Sequence, residues 1–287
     1  ASGDVFAFDV ETGKRLWKSK TKRDISGGVG AAAGKVVVGT LDGEVITLDA
    51  ENGEILWEAQ TSSEILGVPA TDGNVTVVQT IDARVFAFNA QSGEAAWSYD
   101  HIVPVLTLRG SSGPVITTSG VICAFDNGQI LSFAKDSGSR QWDFRISQPK
   151  GKTDLERIVD IDGTPVEQSG LLYAGSYQGN IAALSRAQGK PIWRKAASTF
   201  NRLAVSYGRV VATVERSRVA AFNSANGDKV WENEQLLNRE LSAPALIDDY
   251  VAVIDHEDLL HLLSKDDGSF VHRFKVSGDG FHSPMLS

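Results

Sequence analysis

The chain has 287 residues, a formal net charge of −8 and 42% apolar residues, with Cys123 as its one cysteine. The acid excess argues against nucleic acid as the main partner, because a phosphate-binding protein shows a basic stripe. A lone cysteine excludes an internal disulfide, and no run approaches the 18 consecutive apolar residues of a spanning helix.

From the amino terminus the chain reads GDVFAFDVETGKRLW, in which Val5, Ala7 and Asp9 alternate with Phe6, Phe8 and Val10. Period two marks a strand with two distinct faces. Asp9 to Gly13 reads as a hairpin turn whose glycine takes the left-handed conformation, and Trp17 falls on the strand that follows. The unit then recurs as GEVITLDAENGEILW and onward, placing Trp57, Trp97, Trp142, Trp193 and Trp231 each four residues after a glycine. The tryptophan spacings are 40, 40, 45, 51 and 38, then 41 to His272, which stands where a seventh tryptophan belongs. Between copies lies a second hairpin, as in VPATDGNVTVVQT or APALIDDYVAVID, opened by Pro69, Pro114, Pro165, Pro244 or Pro284. Proline is tolerated at a strand's first residue, where no ladder hydrogen bond is lost. A period near forty built of short strands predicts an all-β fold, a β-propeller of four-stranded blades forming one domain over residues 1–287. Each tryptophan is expected to fill the wedge between neighbouring blades, with His272 as its substitute in the last copy. The chain opens on the third and fourth strands of a blade and closes on a first strand. That pattern fits seven blades closed by the last strand, or an eight-bladed ring short of strands at both ends.

Motifs with chemical content fail on their context. GGVGAAAG (27–34) is glycine-rich but starts no helix, so it is a strand hairpin rather than a phosphate loop. DIDG (160–163) resembles the start of a calcium loop, yet its twelfth position is Leu171 instead of glutamate. HEDLLH (256–261) has the wrong spacing for a zinc helix. No nucleophile elbow or acid–base pair stands out, and Cys123, inside the apolar strand VICAF, reads as a buried inert thiol. These readings predict no catalytic residue, no metal and no cofactor.

Two departures from the period are more telling. A blade's last-strand tryptophan is followed by the next proline after 12 residues at Trp57 and 13 at Trp231, but after 17 at Trp97 and 23 at Trp142. Insertions on one face of a repeat protein often mark its binding face. The first, SYDHIVPVLTLRGSSG, offers Val105, Leu106 and Leu108 beside Arg109. The second, DFRISQPKGKTDLERIVDIDGT, carries Arg157, Ile158, Asp160 and Asp162. Apolar residues with arginine and acids make up a protein contact patch. The alternative is that the two loops merely cap the ring.

The repeat G-x-V-x-A-[LF]-[DN]-x-x-[ST]-G-x-x-x-W resembles the PQQ-type propeller repeat. The runs VPVLTLRGSSGPVITTSGVICAFDNGQI and WDFRISQPKGKTDLERIVDIDGTPV resemble the outer-membrane protein assembly factor B (BamB) family over essentially the whole chain. That resemblance implies an eight-bladed propeller with incomplete terminal blades. It also implies a non-enzymatic scaffold at the periplasmic face of the outer membrane, attached through an N-terminal lipid that this sequence does not carry. The implied partner is the central barrel subunit of the assembly machinery, through its periplasmic POTRA domains; unfolded outer-membrane proteins are a second class of partner, and nucleic acid is not one. The residues that the resemblance assigns to docking are Leu106, Leu108, Arg109, Asp160 and Asp162. The rival is a quinoprotein dehydrogenase, which would need calcium ligands and often a vicinal cysteine pair; one cysteine excludes the pair. Another protein-binding propeller is the third reading.

Overall fold

Short alternating runs separated by glycine-closed turns can satisfy their backbone groups only across to a neighbouring strand, and every segment of the repeat does so. The computed structural model describes residues 3–101, 112–148, 152–153, 155 and 158–276. Strands β1 (Asp4–Phe8) and β2 (Arg15–Lys20) form a two-stranded antiparallel sheet. Six four-stranded sheets follow, each ordered as in sequence. The first holds β3 (Ile25–Ala32), β4 (Lys35–Thr40), β5 (Glu44–Asp49) and β6 (Ile55–Gln60). The next holds β7 (Ala70–Thr71), β8 (Val75–Gln79), β9 (Arg84–Asn89) and β10 (Ala95–Asp100). Then come β11 (Val115–Ile116), β12 (Val121–Ala124), β13 (Gln129–Phe133) and β14 (Arg140–Arg145). The fourth holds β15 (Val166–Gln168), β16 (Leu171–Gly175), β17 (Asn180–Ser185) and β18 (Pro191–Ala196). The fifth holds β19 (Ala204–Ser206), β20 (Arg209–Val214), β21 (Arg218–Asn223) and β22 (Lys229–Asn233). The last holds β23 (Ala245–Ile247), β24 (Tyr250–Ile254), β25 (Leu259–Ser264) and β26 (Phe270–Lys275). Pro69, Pro114, Pro165 and Pro244 each directly precede a first strand; Pro284 lies outside the described residues.

The described residues fall into two compact units. The first runs through Phe125 and takes in Leu131–Trp142; the second takes in Asp126–Ile130 and continues from Asp143. Within each unit the core is layered between consecutive sheets. In the first, Val37, Val45, Trp57 and Ile65 pack with Val78 and Phe88. In the second, Val211, Val219 and Trp231 pack with Leu246, Val251 and Leu263. Cys123 is fully buried, and burial drives its thiol pKa upward, so it is inert.

The turn before each tryptophan is built as the sequence suggests. Asp49 accepts backbone N–H bonds from Glu51 and Asn52, and Gly53 closes the turn at φ +75°. A second reason for the glycine was not legible in the sequence. The Trp17 indole of the preceding sheet lies flat on Gly53, where an added Cβ would sit 2.6 Å from its ring. Trp17 Nε1 also donates to the Ala50 carbonyl at 2.9 Å. The same pair of contacts joins Trp57 to Gly93 and Ala90, Trp97 to Gly138 and Lys135, Trp193 to Gly227 and Ser224, and Trp231 to Gly268 and Lys265. Tryptophan and glycine are therefore two halves of a joint between successive repeats.

A β-bulge aims the indole. Thr47 pairs with Trp57 but Leu48 pairs with Ile55, so Leu56 is left over. Leu16, Ile192, Val230 and Val271 are bulged in the same way and, like Leu56, are exposed. An extra residue sharpens the local twist and re-aims the side chain beside it. The strict alternation read from the sequence missed this. His272 corrects another expectation: it is exposed and tilted over Phe274 at 5.7 Å, and fills no wedge among the described residues. Gly27, Gly28 and Gly30 of GGVGAAAG belong to β3, and an added Cβ on Gly30 would sit 2.0 Å from the Pro69 carbonyl oxygen, while Gly34 turns into β4 at φ +74°. Close backbone approach explains Gly27 and Gly30, and a left-handed turn explains Gly34.

Candidate partner-binding site

Of the sequence-derived site residues, Leu106, Leu108, Arg109 and Arg157 lie outside the described residues. Asp160 and Asp162 lie at the end of the second insertion, whose residues 158–162 are not a solvated loop. Ile158, Val159 and Ile161 are buried, and Asp160 has no exposed surface. The Asp160 carbonyl accepts a 2.9 Å bond from the Tyr177 N–H in the β16–β17 turn. The Leu155 carbonyl accepts a 3.4 Å bond from Gln178 Nε2 of the same turn. Val159 covers Gly128, where a Cβ would meet its side chain at 3.2 Å. The start of the insertion is pinned too. Ser147 Oγ and Ser176 Oγ lie 2.7 Å apart, and Asn180 donates to Ser147 Oγ from its backbone and its side chain. Gly179 makes this possible, since a Cβ there would fall 2.0 Å from Ser147 Oγ.

Folding adds a residue that the sequence reading missed. Asp126, in the β12–β13 turn, joins Asp160 and Asp162, with carboxylate oxygens of the three within 4.8 Å of one another. Nothing in the sequence marks Asp126, because Asp-Asn-Gly is ordinary turn chemistry. Three carboxylates offer oxygen ligands of the kind a hard cation such as calcium takes, in sets of six to eight. Asp162 Oδ1 is buried with no hydrogen-bond partner among the described residues. Desolvation, then Asp160, then Asp126 push its pKa up to about 7. Asp160 is fully buried, whereas Asp162 keeps partial exposure.

A pH dependence follows. The folded chain holds the Asp162 proton between about pH 4 and 7, where an unfolded aspartate has released it. Stability from this group is therefore present at low pH and lost as pH rises through 7. Asp162→Asn should flatten that slope and, at pH 8, melt above wild type by the equivalent of a few kcal/mol at most. Melting curves from pH 5 to 8 check this; an unchanged slope in the variant would refute the raised pKa.

The other flagged motif, HEDLLH, is structural. His261 on β25 is buried, its Nε2 2.8 Å from Asp255 Oδ2 and its Nδ1 accepting from Arg273 Nε at 2.9 Å. Arginine is always protonated, so Nδ1 must be the acceptor and Nε2 carries the proton. Arg239 binds the same Asp255, which burial opposes but the His261 and Arg239 bonds hold ionised, with a pKa of about 2.

Comparison with known proteins bears on the whole chain. The family profile "Outer membrane protein assembly factor BamB" matches residues 1–233 and 215–287. The outer membrane protein assembly factor BamB of Pseudomonas aeruginosa is 51% identical over 280 residues, 98% of this chain and 74% of that protein. That of Kangiella koreensis is 50% identical over 278 residues, 97% of this chain and 72% of its relative. The crystal structure of BamB from Moraxella catarrhalis superposes with a TM-score of 0.89 at 29% identity, covering 96% of this chain and 84% of that one. A quinohemoprotein alcohol dehydrogenase from Comamonas testosteroni gives 0.73 at 15% identity, covering 96% of this chain and 64% of that one, a likeness of fold alone. The fold is thus an all-β propeller of PQQ-type blades, and the chain belongs to the outer membrane protein assembly factor BamB family.

Proposed function

We propose that this chain is a non-enzymatic scaffold of the outer-membrane β-barrel assembly machinery. It would work at the periplasmic face of the outer membrane and dock on the POTRA domains of the central barrel subunit. The observation that carries this reading is the roughly half identity, over nearly the whole chain, to proteins named as outer membrane protein assembly factors. The docking residues are Leu106, Leu108 and Arg109 of the first insertion with Arg157 and Asp162 of the second, and Asp160 positions them from inside. Leucines would supply desolvated area, and the Arg109 guanidinium would make planar charge-assisted bonds to a carboxylate or to backbone oxygens. The buried Ile158–Ile161 segment supports a fixed rather than a floppy contact surface, which lowers the entropy lost on binding. Among the described residues no helix is long and apolar enough to cross a membrane, and attachment would come from a lipid anchor.

Titration of the purified chain into the soluble periplasmic domains of the barrel subunit tests the docking. Saturable binding supports it, and none at high micromolar concentration refutes it. The scaffold reading also predicts no redox turnover. Quinone-dependent dye reduction with added calcium should stay at background, and turnover abolished by Asp126→Asn would overturn the non-enzymatic assignment.

A further inference from the structure

The repeat places an apolar residue across from the one that follows each tryptophan, as Ile46, Phe86, Ala182 and Ala220 show. In the last sheet His261 takes that place, across from Arg273 and with no exposed surface. An ionisable ring in an apolar slot is costly unless its polar atoms are bonded, and both nitrogens are. Nε2 donates to Asp255 Oδ2 at 2.8 Å, and Nδ1 accepts from Arg273 Nε at 2.9 Å. Among the described residues the Arg273 guanidinium has no carboxylate within ion-pair distance. Besides His261 it meets the Phe270 ring, at 5.1 Å. Arg239 of the β22–β23 connection reaches the cluster from its other side and binds both Asp255 and Glu257 of the β24–β25 turn. His256 of that turn is engaged elsewhere, its Nδ1 donating to the Arg239 carbonyl at 2.9 Å. While His261 is neutral, two arginines and two carboxylates balance.

We infer that His261 is an acid-operated latch: one proton on its ring releases Arg273 and loosens the outer strand β26 from β25. Nε2 already carries the proton that bonds Asp255, so the next can bind only at the Nδ1 lone pair, which Arg273 occupies. Proton and guanidinium therefore compete for one electron pair. Once Nδ1 is protonated, two donors and two cations face each other there, and the balanced cluster gains one uncompensated positive charge. Arg273 is exposed on its strand, so it is the side chain that can leave for water, while His261 keeps Asp255. Asp255 stays ionised down to a pKa of about 2, so the proton goes to the ring and not to the carboxylate. Burial holds the His261 pKa below its ordinary 6.5; Asp255 opposes this, and Arg273 and Arg239 reinforce it. An unfolded histidine charges near 6.5, and the folded one only at lower pH. The latch therefore contributes its full stability above 6.5 and loses it as pH falls through the folded pKa. That sign is opposite to the one derived for Asp162. The inference stands on the last sheet alone and is independent of the scaffold reading.

The test joins NMR of the imidazole nitrogens to hydrogen exchange of the β26 amides, followed from neutral pH into acid. In the wild-type chain the His261 Nδ1 should titrate with a midpoint below 6.5 while Nε2 stays protonated throughout. Across that midpoint the protection of the β26 amides, corrected for the intrinsic pH dependence of exchange, should fall at least ~tenfold. The central strand β24 should keep its protection. His261→Gln retains an acceptor for Arg273 and a donor for Asp255 but takes up no proton, so its β26 protection should be equal on the two sides of the wild-type midpoint. Arg273→Ala, at an exposed position, gives a second reading that does not depend on how well glutamine fits. It vacates the lone pair and removes a like charge, so the His261 midpoint should rise and β26 should exchange fast on both sides of it. A ring that stays neutral wherever the chain is folded would overturn the inference, as would β26 protection that ignores the titration. An unchanged midpoint in Arg273→Ala, or acid loosening of β26 that persists in His261→Gln, would overturn it too.

Discussion

Replacing Trp57 by alanine is expected to lower stability by about 3–5 kcal/mol, the usual effect of removing a large buried aromatic. Trp57 is 7% exposed, and its Nε1 bond to the Ala90 carbonyl is lost with the ring. The partner half of the joint should fail comparably. In Gly93→Ala the new Cβ would fall 2.7 Å from the Trp57 ring at a φ of +74°, so overpacking and left-handed strain together cost about 2–4 kcal/mol. Gly13→Ala isolates the strain, because φ is +65° but nothing lies within 4 Å of the added Cβ. It should cost only about 1 kcal/mol. The decisive measurement is urea unfolding of Trp57→Ala/Gly93→Ala. With the indole gone, Gly93→Ala should cost no more than Gly13→Ala, leaving the pair non-additive by about 1–3 kcal/mol. Simple additivity would mean that the glycines serve their turns alone.

The second large effect concerns partner binding. Leu108→Ala and Arg109→Ala are each expected to weaken binding to the periplasmic domains of the barrel subunit by about thirtyfold, roughly 2 kcal/mol, as truncation of a central anchor does. Melting temperatures should stay near wild type. Asp160 and Asp162 should behave differently from one another. Asp160 has no exposed surface, so it can act only by holding the docking segment. Asp160→Asn combined with Arg109→Ala should then cost no more binding than Arg109→Ala alone. Asp162 keeps partial exposure, and Asp162→Asn should add its own cost if it meets a basic group on the partner. Calorimetric titration of the four variants reads all of this. Wild-type affinity in both Leu108→Ala and Arg109→Ala would place the site elsewhere on the propeller.

By itself the sequence determined the all-β class, the strand count per repeat, the turn chemistry and the tryptophan slots. Those rest on local rules: period-two alternation, Asx turns closed by a left-handed glycine, and proline ahead of first strands. It also marked the second insertion as special by length, and the resemblance it carries pointed to the family. What only the tertiary structure decided involves residues far apart in sequence, where local pattern is silent. The Trp57–Gly93 joint is invisible in a repeat read copy by copy, because the indole of one copy lands on the glycine of the next. The bulge at Leu56 breaks an alternation that the letters preserve. Asp126 looks like any turn aspartate until folding sets it against Asp160 and Asp162, and proximity of like charges in a dry site, not composition, then moves the Asp162 pKa. His272 sits in a tryptophan slot by count, yet the fold leaves it exposed.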